Sequence, residues 1–217
     1  MSINFRGISS QPAKPSVPVF HGSIDNSSAP MQQYHFFVYS EWSVVQERSE
    51  AATCQAYCRH CRSPIAEFVM KDMVTKRGIA DKFYIASAAT STEEIWNGIG
   101  NPVYPPAKRE LAKHGISCEG KRAVQITKAD YGKYDYILGM EQRNIRNILR
   151  IVGKDPEGKV KLLLDYSDNT RDIADPWYTG NFESTYRDVV EGCEGFLAYL
   201  EKNGRLNYNN LNLRISQ

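Results

Sequence analysis

Short apolar runs alternate with segments of helical period along most of the chain, and that alternation limits its architecture more than any other feature. His35-Phe36-Phe37-Val38-Tyr39, Phe83-Tyr84-Ile85-Ala86-Ser87-Ala88, Tyr134-Asp135-Tyr136-Ile137-Leu138-Gly139-Met140 and Val160-Lys161-Leu162-Leu163-Leu164 are rich in aromatic or branched residues and have strand length. Helical patterns separate them. Ile65, Phe68, Val69 and Met73 form a stripe that Asp72 interrupts, with Glu67 and Lys71 expected on the opposite side. A second helix follows Asn101-Pro102-Val103-Tyr104-Pro105-Pro106 and ends at His114-Gly115. Ile145, Ile148 and Leu149 mark a third. Phe182, Tyr186, Val189, Val190, Cys193, Phe196, Leu197 and Leu200 keep one face of a long final helix, which makes Cys193 a core residue. The expected fold is therefore α/β: a four-stranded parallel sheet in three layers, helices on both faces, ligands at the carboxyl ends of the strands.

The 217 residues suffice for one domain with tails, expected as a tail over 1–33, a domain over 34–202 with an irregular segment over 40–61, and a tail over 203–217. The first tail is rich in Ser, Pro, Asn and Gln, and Ser43-Val44-Val45 is a possible strand within the irregular segment. A net charge of +2 leaves no broad basic field for nucleic acid. Without a signal peptide or an apolar run of spanning length, the sequence points to the cytoplasm and to no membrane. There the five cysteines should be reduced, and the crowding of Cys54, Cys58 and Cys61 argues for chemistry or metal at that cluster.

That cluster feeds the first helix. Ser63 can cap in front of Pro64, which is pre-set for the first helical position, and Glu67 follows in the first turn. A loop that brings Arg62 to a helix N-terminus forms a natural oxyanion seat, because unpaired N–H groups and the helix dipole favour negative charge there. An ordinary capped amphipathic helix is the plainer reading of the same residues.

Further motifs follow in order: Cys61-Arg62-Ser63-Pro64 with Ala66-Glu67, Ser87-Ala88-Ala89-Thr90, Gln125-Ile126-Thr127, the run from Tyr134 to Met140, and Asp175-Pro176-Trp177-Tyr178. From Cys61 to about Leu200 the chain resembles the low-molecular-weight protein tyrosine phosphatases. The resemblance implies hydrolysis of phosphotyrosine in a protein substrate through a phosphocysteine, with no cofactor and no metal. It assigns Arg62 to the phosphoryl oxygens, Ser63 to the thiolate, Cys61 to a second cysteine of the loop, and Asp175 to acid and base duty. Trp177 and Tyr178 would flank the substrate ring, with Trp96 a weaker wall residue that can equally be a loop anchor.

One departure stands out. The family pattern sets its nucleophile six positions before the arginine, where this chain has Ala56, and Cys58 and Arg59 replace the pattern's glycine and asparagine. Cys58 is the cysteine that a loop shortened by two residues would leave at the nucleophile's end. The cluster also supports three other readings. Cys54, Cys58 and Cys61 are similar to the three-cysteine signature of iron–sulfur radical enzymes, and His60 with these cysteines could hold zinc. Arg62 and the helix end alone would make a phosphate-binding protein without turnover.

Overall fold

The computed structural model describes residues 34–40 and 61–206. Strands β1 (Tyr34–Ser40), β2 (Phe83–Ala89), β5 (Tyr136–Gly139) and β6 (Val160–Leu162) form one sheet in the order β2-β1-β5-β6. Every pairing in it is parallel, Phe36 standing opposite both Ile85 and Tyr136. Between β2 and β5 lie a small hairpin, β3 (Ile95–Trp96) and β4 (Ile99–Gly100), and helix α2 (Pro105–Lys113). The other helices are α1 (Arg62–Lys76), α3 (Gln142–Val152), the single turn α4 (Pro176–Thr179) and α5 (Phe182–Lys202). The hairpin was not evident from periodicity because each strand has only two residues. Its signal is the Asn97-Gly98 turn, where both residues adopt positive φ, as a tight hairpin of matching twist requires.

Alternation along the strands distributes the core to both faces of the sheet. Tyr136 and Leu138 of β5, with Phe83 and Ile85 of β2, join α1, α2 and α5 on one side. Ile137, Ala88 and Val160 join Ile148 and Val152 of α3 on the other. Strands covered twice in this way read as nearly unbroken apolar runs, which is why they were visible in the sequence. The fourth strand is shorter than expected: after Leu162 the chain winds into a 3₁₀ turn over Leu163–Tyr166. Helix α5 rests closely on that turn. A β-carbon on Gly195 would lie 2.1 Å from the Tyr166 carbonyl oxygen, so only glycine permits the approach. Cys193 is fully buried, as its helical spacing implied, and Leu206 beyond the helix is still packed.

Two expectations for α1 need correction. Cys61, not Ser63, occupies the N-cap position, no side chain caps the helix, Ser63 and Pro64 lie inside the first turn with Arg62 at the first position, and Glu67 falls beyond that turn. Glu67 does not face solvent but is 3 % exposed. The cause is that α1 packs against the sheet, α2 and α5 together, so a helix read as one-sided is enclosed on most sides. Asp72 is accommodated by an ion pair with Lys76 at 2.7 Å.

Glu67 is compensated by three donors. Lys121 reaches it at 2.6 Å, Lys71 at 2.5 Å and the Ser87 hydroxyl at 2.6 Å, while Lys121 also donates to the Ser87 carbonyl at 2.9 Å. Burial disfavours the Glu67 charge, but the Lys121 ammonium and the donated hydrogen bonds outweigh it and hold the carboxyl below the usual glutamate range. The network thereby ties the helix that starts at Arg62 to the edge strand β2. Breaking it should be expensive: Lys121→Met is expected to lower unfolding stability by about 3 kcal/mol at neutral pH. Because the folded pKa lies below the unfolded one, Glu67 stabilises fully above the usual glutamate range, and its contribution is lost as pH falls through the depressed value. Urea unfolding across an acid series should therefore show the gap between Lys121→Met and wild type closing as Glu67 protonates, and a constant gap would contradict the assignment.

Candidate active site

The candidate site lies at the carboxyl ends of the strands, where two segments, the β5–α3 corner and the loop before α4, meet the start of α1. Arg62 is the first residue of that helix and is 2 % exposed. Such a charge must be matched, since an unpaired buried guanidinium would cost several kcal/mol. Its Nη1 donates to the Ile173 carbonyl at 2.7 Å and to Glu141 Oε2 at 3.1 Å. Its Nη2 lies 3.5 Å from Asp175 Oδ2. Sequence separations of 79 and 111 residues are bridged by this one side chain.

Each partner is held in turn. Glu141 lies one residue beyond the end of β5, after Met140, as the N-cap residue of α3. Asn144 Oδ1 accepts from the backbone N–H groups of Met140 and Glu141 at 2.8 and 3.3 Å, fixing the chain where it leaves the sheet. The loop before α4 is attached to the same corner. Ile173 N–H donates to the Met140 carbonyl at 2.8 Å, and Gln142 N–H donates to Asp172 Oδ1 at 2.9 Å. Asp175 is the N-cap of α4: its Oδ1 accepts from Trp177 N–H at 3.0 Å, which leaves Oδ2 on the Arg62 side. Pro176 at the first helical position pre-sets that turn.

Donor counting shows what Arg62 can still do. A guanidinium has five N–H donors, two of them on Nη1, and both are committed to Ile173 and Glu141. Among the described residues the Nε–Nη2 edge meets only Asp175, and it has the geometry that grips two oxygens of a phosphoryl group in parallel. That edge adjoins Asp175, so an oxyanion held there would lie beside the carboxylate. The nearby helix N-terminus adds its partial positive charge.

The structure thus brings Arg62 and Asp175 together and places Cys61 and Ser63 next to Arg62, both buried. The Ser63 hydroxyl has no hydrogen-bond partner among the described residues. Trp177 stands on α4 with its ring centroid 5.6 Å from Tyr104, which also lies 6.1 Å from Phe182, so the aromatic wall is backed from behind. Tyr178 is 72 % exposed, and Trp96 is 59 % exposed on the hairpin. Cys54, Cys58 and His60 fall outside the described residues. Burial raises the thiol pKa of both Cys118 and Cys193, the opposite of an activated nucleophile. Among the described residues no three side chains of metal-binding type cluster. Sequence reasoning missed Glu141, the Ile173 carbonyl and Tyr104. Glu141 had a usable signal: it is an acidic residue just beyond a parallel strand, at the ligand end of the sheet.

A model of the family described as low molecular weight phosphotyrosine protein phosphatase matches residues 55–206. Over 148 residues the chain is 36 % identical to the low molecular weight protein-tyrosine-phosphatase YfkJ of Bacillus subtilis, covering 67 % of this chain and 92 % of that protein. The chicken (Gallus gallus) low molecular weight phosphotyrosine protein phosphatase is 40 % identical over 142 residues, covering 63 % of this chain and 87 % of its own length. The crystal structure of YfkJ superposes with a TM-score of 0.64 at 30 % identity, covering 79 % of this chain and 96 % of that one. The motifs from Cys61 to Tyr178, the parallel sheet and the matched stretch agree, and the chain belongs to the low molecular weight phosphotyrosine protein phosphatase family.

Proposed function

We propose that this chain hydrolyses phosphotyrosine esters of proteins through a cysteinyl-phosphate intermediate, with Arg62 as the phosphate clamp and Asp175 as the proton carrier. The observation that carries the proposal is the approach of Asp175 Oδ2 to within 3.5 Å of Arg62 Nη2 at the start of α1, an anion grip and a carboxylate in one place. In the first step the thiolate, assigned to Cys58, attacks phosphorus as the bond to the phenolic oxygen breaks. Asp175 gives its proton to that oxygen, so tyrosine leaves neutral. In the second step water attacks phosphorus, Asp175 takes up its proton, the P–S bond breaks, and inorganic phosphate and the thiolate are released. Throughout, the Nε–Nη2 edge of Arg62 holds the phosphoryl oxygens. Ser63 and Cys61 line the seat, and Trp177 and Tyr178 flank the ring. No metal enters this route. A thiolate nucleophile suits the reducing cytoplasm, and no helix among the described residues is long and apolar enough to cross a membrane.

Capture of the oxyanion is the less demanding half of this chemistry. It needs Arg62 and the helix end, whereas attack needs sulfur in line at about 3–3.5 Å from phosphorus. With Ala56 where the family pattern has its nucleophile, slow turnover with intact anion binding is the expected behaviour. Assays with an aryl phosphate should show Asp175→Asn slowing hydrolysis by roughly two to four orders of magnitude; an undiminished rate removes Asp175 from the mechanism. Cys58→Ser should abolish turnover while vanadate still binds, and full activity in that variant would refute the nucleophile assignment. Titration calorimetry should show vanadate binding lost in Arg62→Ala. In Ser63→Ala vanadate should bind several-fold more weakly, with the urea midpoint unchanged or raised, because the hydroxyl removed is buried without a partner among the described residues.

A further inference from the structure

The segment that carries Asp175 has no regular secondary structure from residue 167 onward, yet it must place one carboxyl oxygen to within a fraction of an ångström. Its second half is attached to the α3 corner through Asp172 and Ile173, and Thr185 Oγ1 donates to the Ala174 carbonyl at 3.2 Å. Its first half is attached differently. Residues 168–170 have no side-chain hydrogen bond to another element among the described residues. Arg171 reaches α5 instead: Nη1 and Nη2 donate in parallel to Glu191 Oε1 and Oε2 at 3.1 and 2.8 Å, and Nη2 also donates to Asp188 Oδ1 at 2.8 Å. Nη1 turns back to the Asn169 carbonyl at 3.1 Å, closing the bend of the loop.

We propose that Arg171 is a positioning residue for the general acid, fixing the loop on α5 so that Ile173 and Asp175 stay in register with Arg62. The inference rests on the phosphatase reading for its catalytic meaning and on the contacts themselves for its structural one. Two features separate this role from plain stabilisation. Arg171 is an exposed residue, its side chain 39 % accessible, and exposed ion pairs add little to folding. What the arrangement supplies is direction: a planar fork gripped by both oxygens of one carboxylate, with a second carboxylate three residues earlier on the same helix, admits essentially one orientation. Ile173, two residues on, donates to Met140 and accepts from Arg62, so a displacement at Arg171 runs along the loop through Ile173 to Asp175.

The test compares wild type, Arg171→Ala and Arg171→Lys on phenyl phosphate, whose leaving group needs a proton, and 2,4-dinitrophenyl phosphate, whose leaving group does not. Arg171→Ala should lower kcat/KM for phenyl phosphate about tenfold, with kcat/KM for the dinitrophenyl ester changed less than about twofold, because kcat/KM reports only the step in which the leaving group takes its proton, a loss in line with a small misplacement of an acid. Arg171→Lys, which keeps the charge without the fork, should fall between. The Ile173 amide should exchange its hydrogen faster in Arg171→Ala, while the urea midpoint moves little. Equal losses on both substrates, or Ile173 exchange at the wild-type rate, would overturn the proposal. If wild type hydrolyses neither ester, the phosphatase reading fails, and Ile173 exchange still decides whether Arg171 holds the loop.

Discussion

The buried guanidinium of Arg62 is the constraint on which the rest of the site depends. A cation at a helix N-terminus opposes the helix dipole, and a cation removed from water requires compensation from close partners. Both demands draw acceptors to one point: a carbonyl from the loop before α4, a carboxylate from the start of α3, and the carboxylate of Asp175. None of the three is near Arg62 in sequence. Satisfying one charge therefore fixes the relative positions of α1, the end of β5 and the loop before α4.

The parallel sheet explains why those segments can meet at all. β1, β2, β5 and β6 run in one direction, so the turns leaving their carboxyl ends share an edge of the molecule. Three of the elements concerned are set from below by independent means: α1 by the Glu67 network with Lys121 and Ser87, α3 by the Asn144 cap, α5 by its glycine contact with Tyr166. Rigid supports beneath a loop-built site let irregular backbone carry function without being left to fluctuate. The acid loop, attached at Arg171, Asp172, Ile173 and Ala174, is the clearest instance.

The legible and illegible parts of the sequence divide along physical lines. Strands buried on both faces and a one-sided final helix announce themselves through hydrophobic period, and the expected sheet and helix order match the structure. Arg62 stood out at a proline-containing helix start and Asp175 in an Asp-Pro turn with aromatics, neither context decisive alone, and the structure brings the two side chains to 3.5 Å. Glu67 was misread because Glu67 and Lys71 four residues apart look like an ordinary surface pair, and only the three-dimensional enclosure of α1 reveals that the carboxylate is buried. The Ile173 carbonyl lay beyond the reach of side-chain patterns altogether, since any residue presents the same backbone oxygen.

The division of labour within Arg62 gives the site its direction. Nη1 is committed to structure, holding Ile173 and Glu141, and it acts as a hinge pin whose loss would free two segments at once. The Nε–Nη2 edge faces the oxygen of Asp175 that the α4 cap does not use. A lysine could not divide itself this way: its single ammonium has three donors on one atom and no second edge, so binding phosphate and holding Ile173 would compete for the same nitrogen. In the proposed mechanism the planar fork makes one residue both a structural fastener and a ligand clamp. It also makes the two roles geometrically dependent, because the backbone that positions the acid is the backbone that orients the arginine.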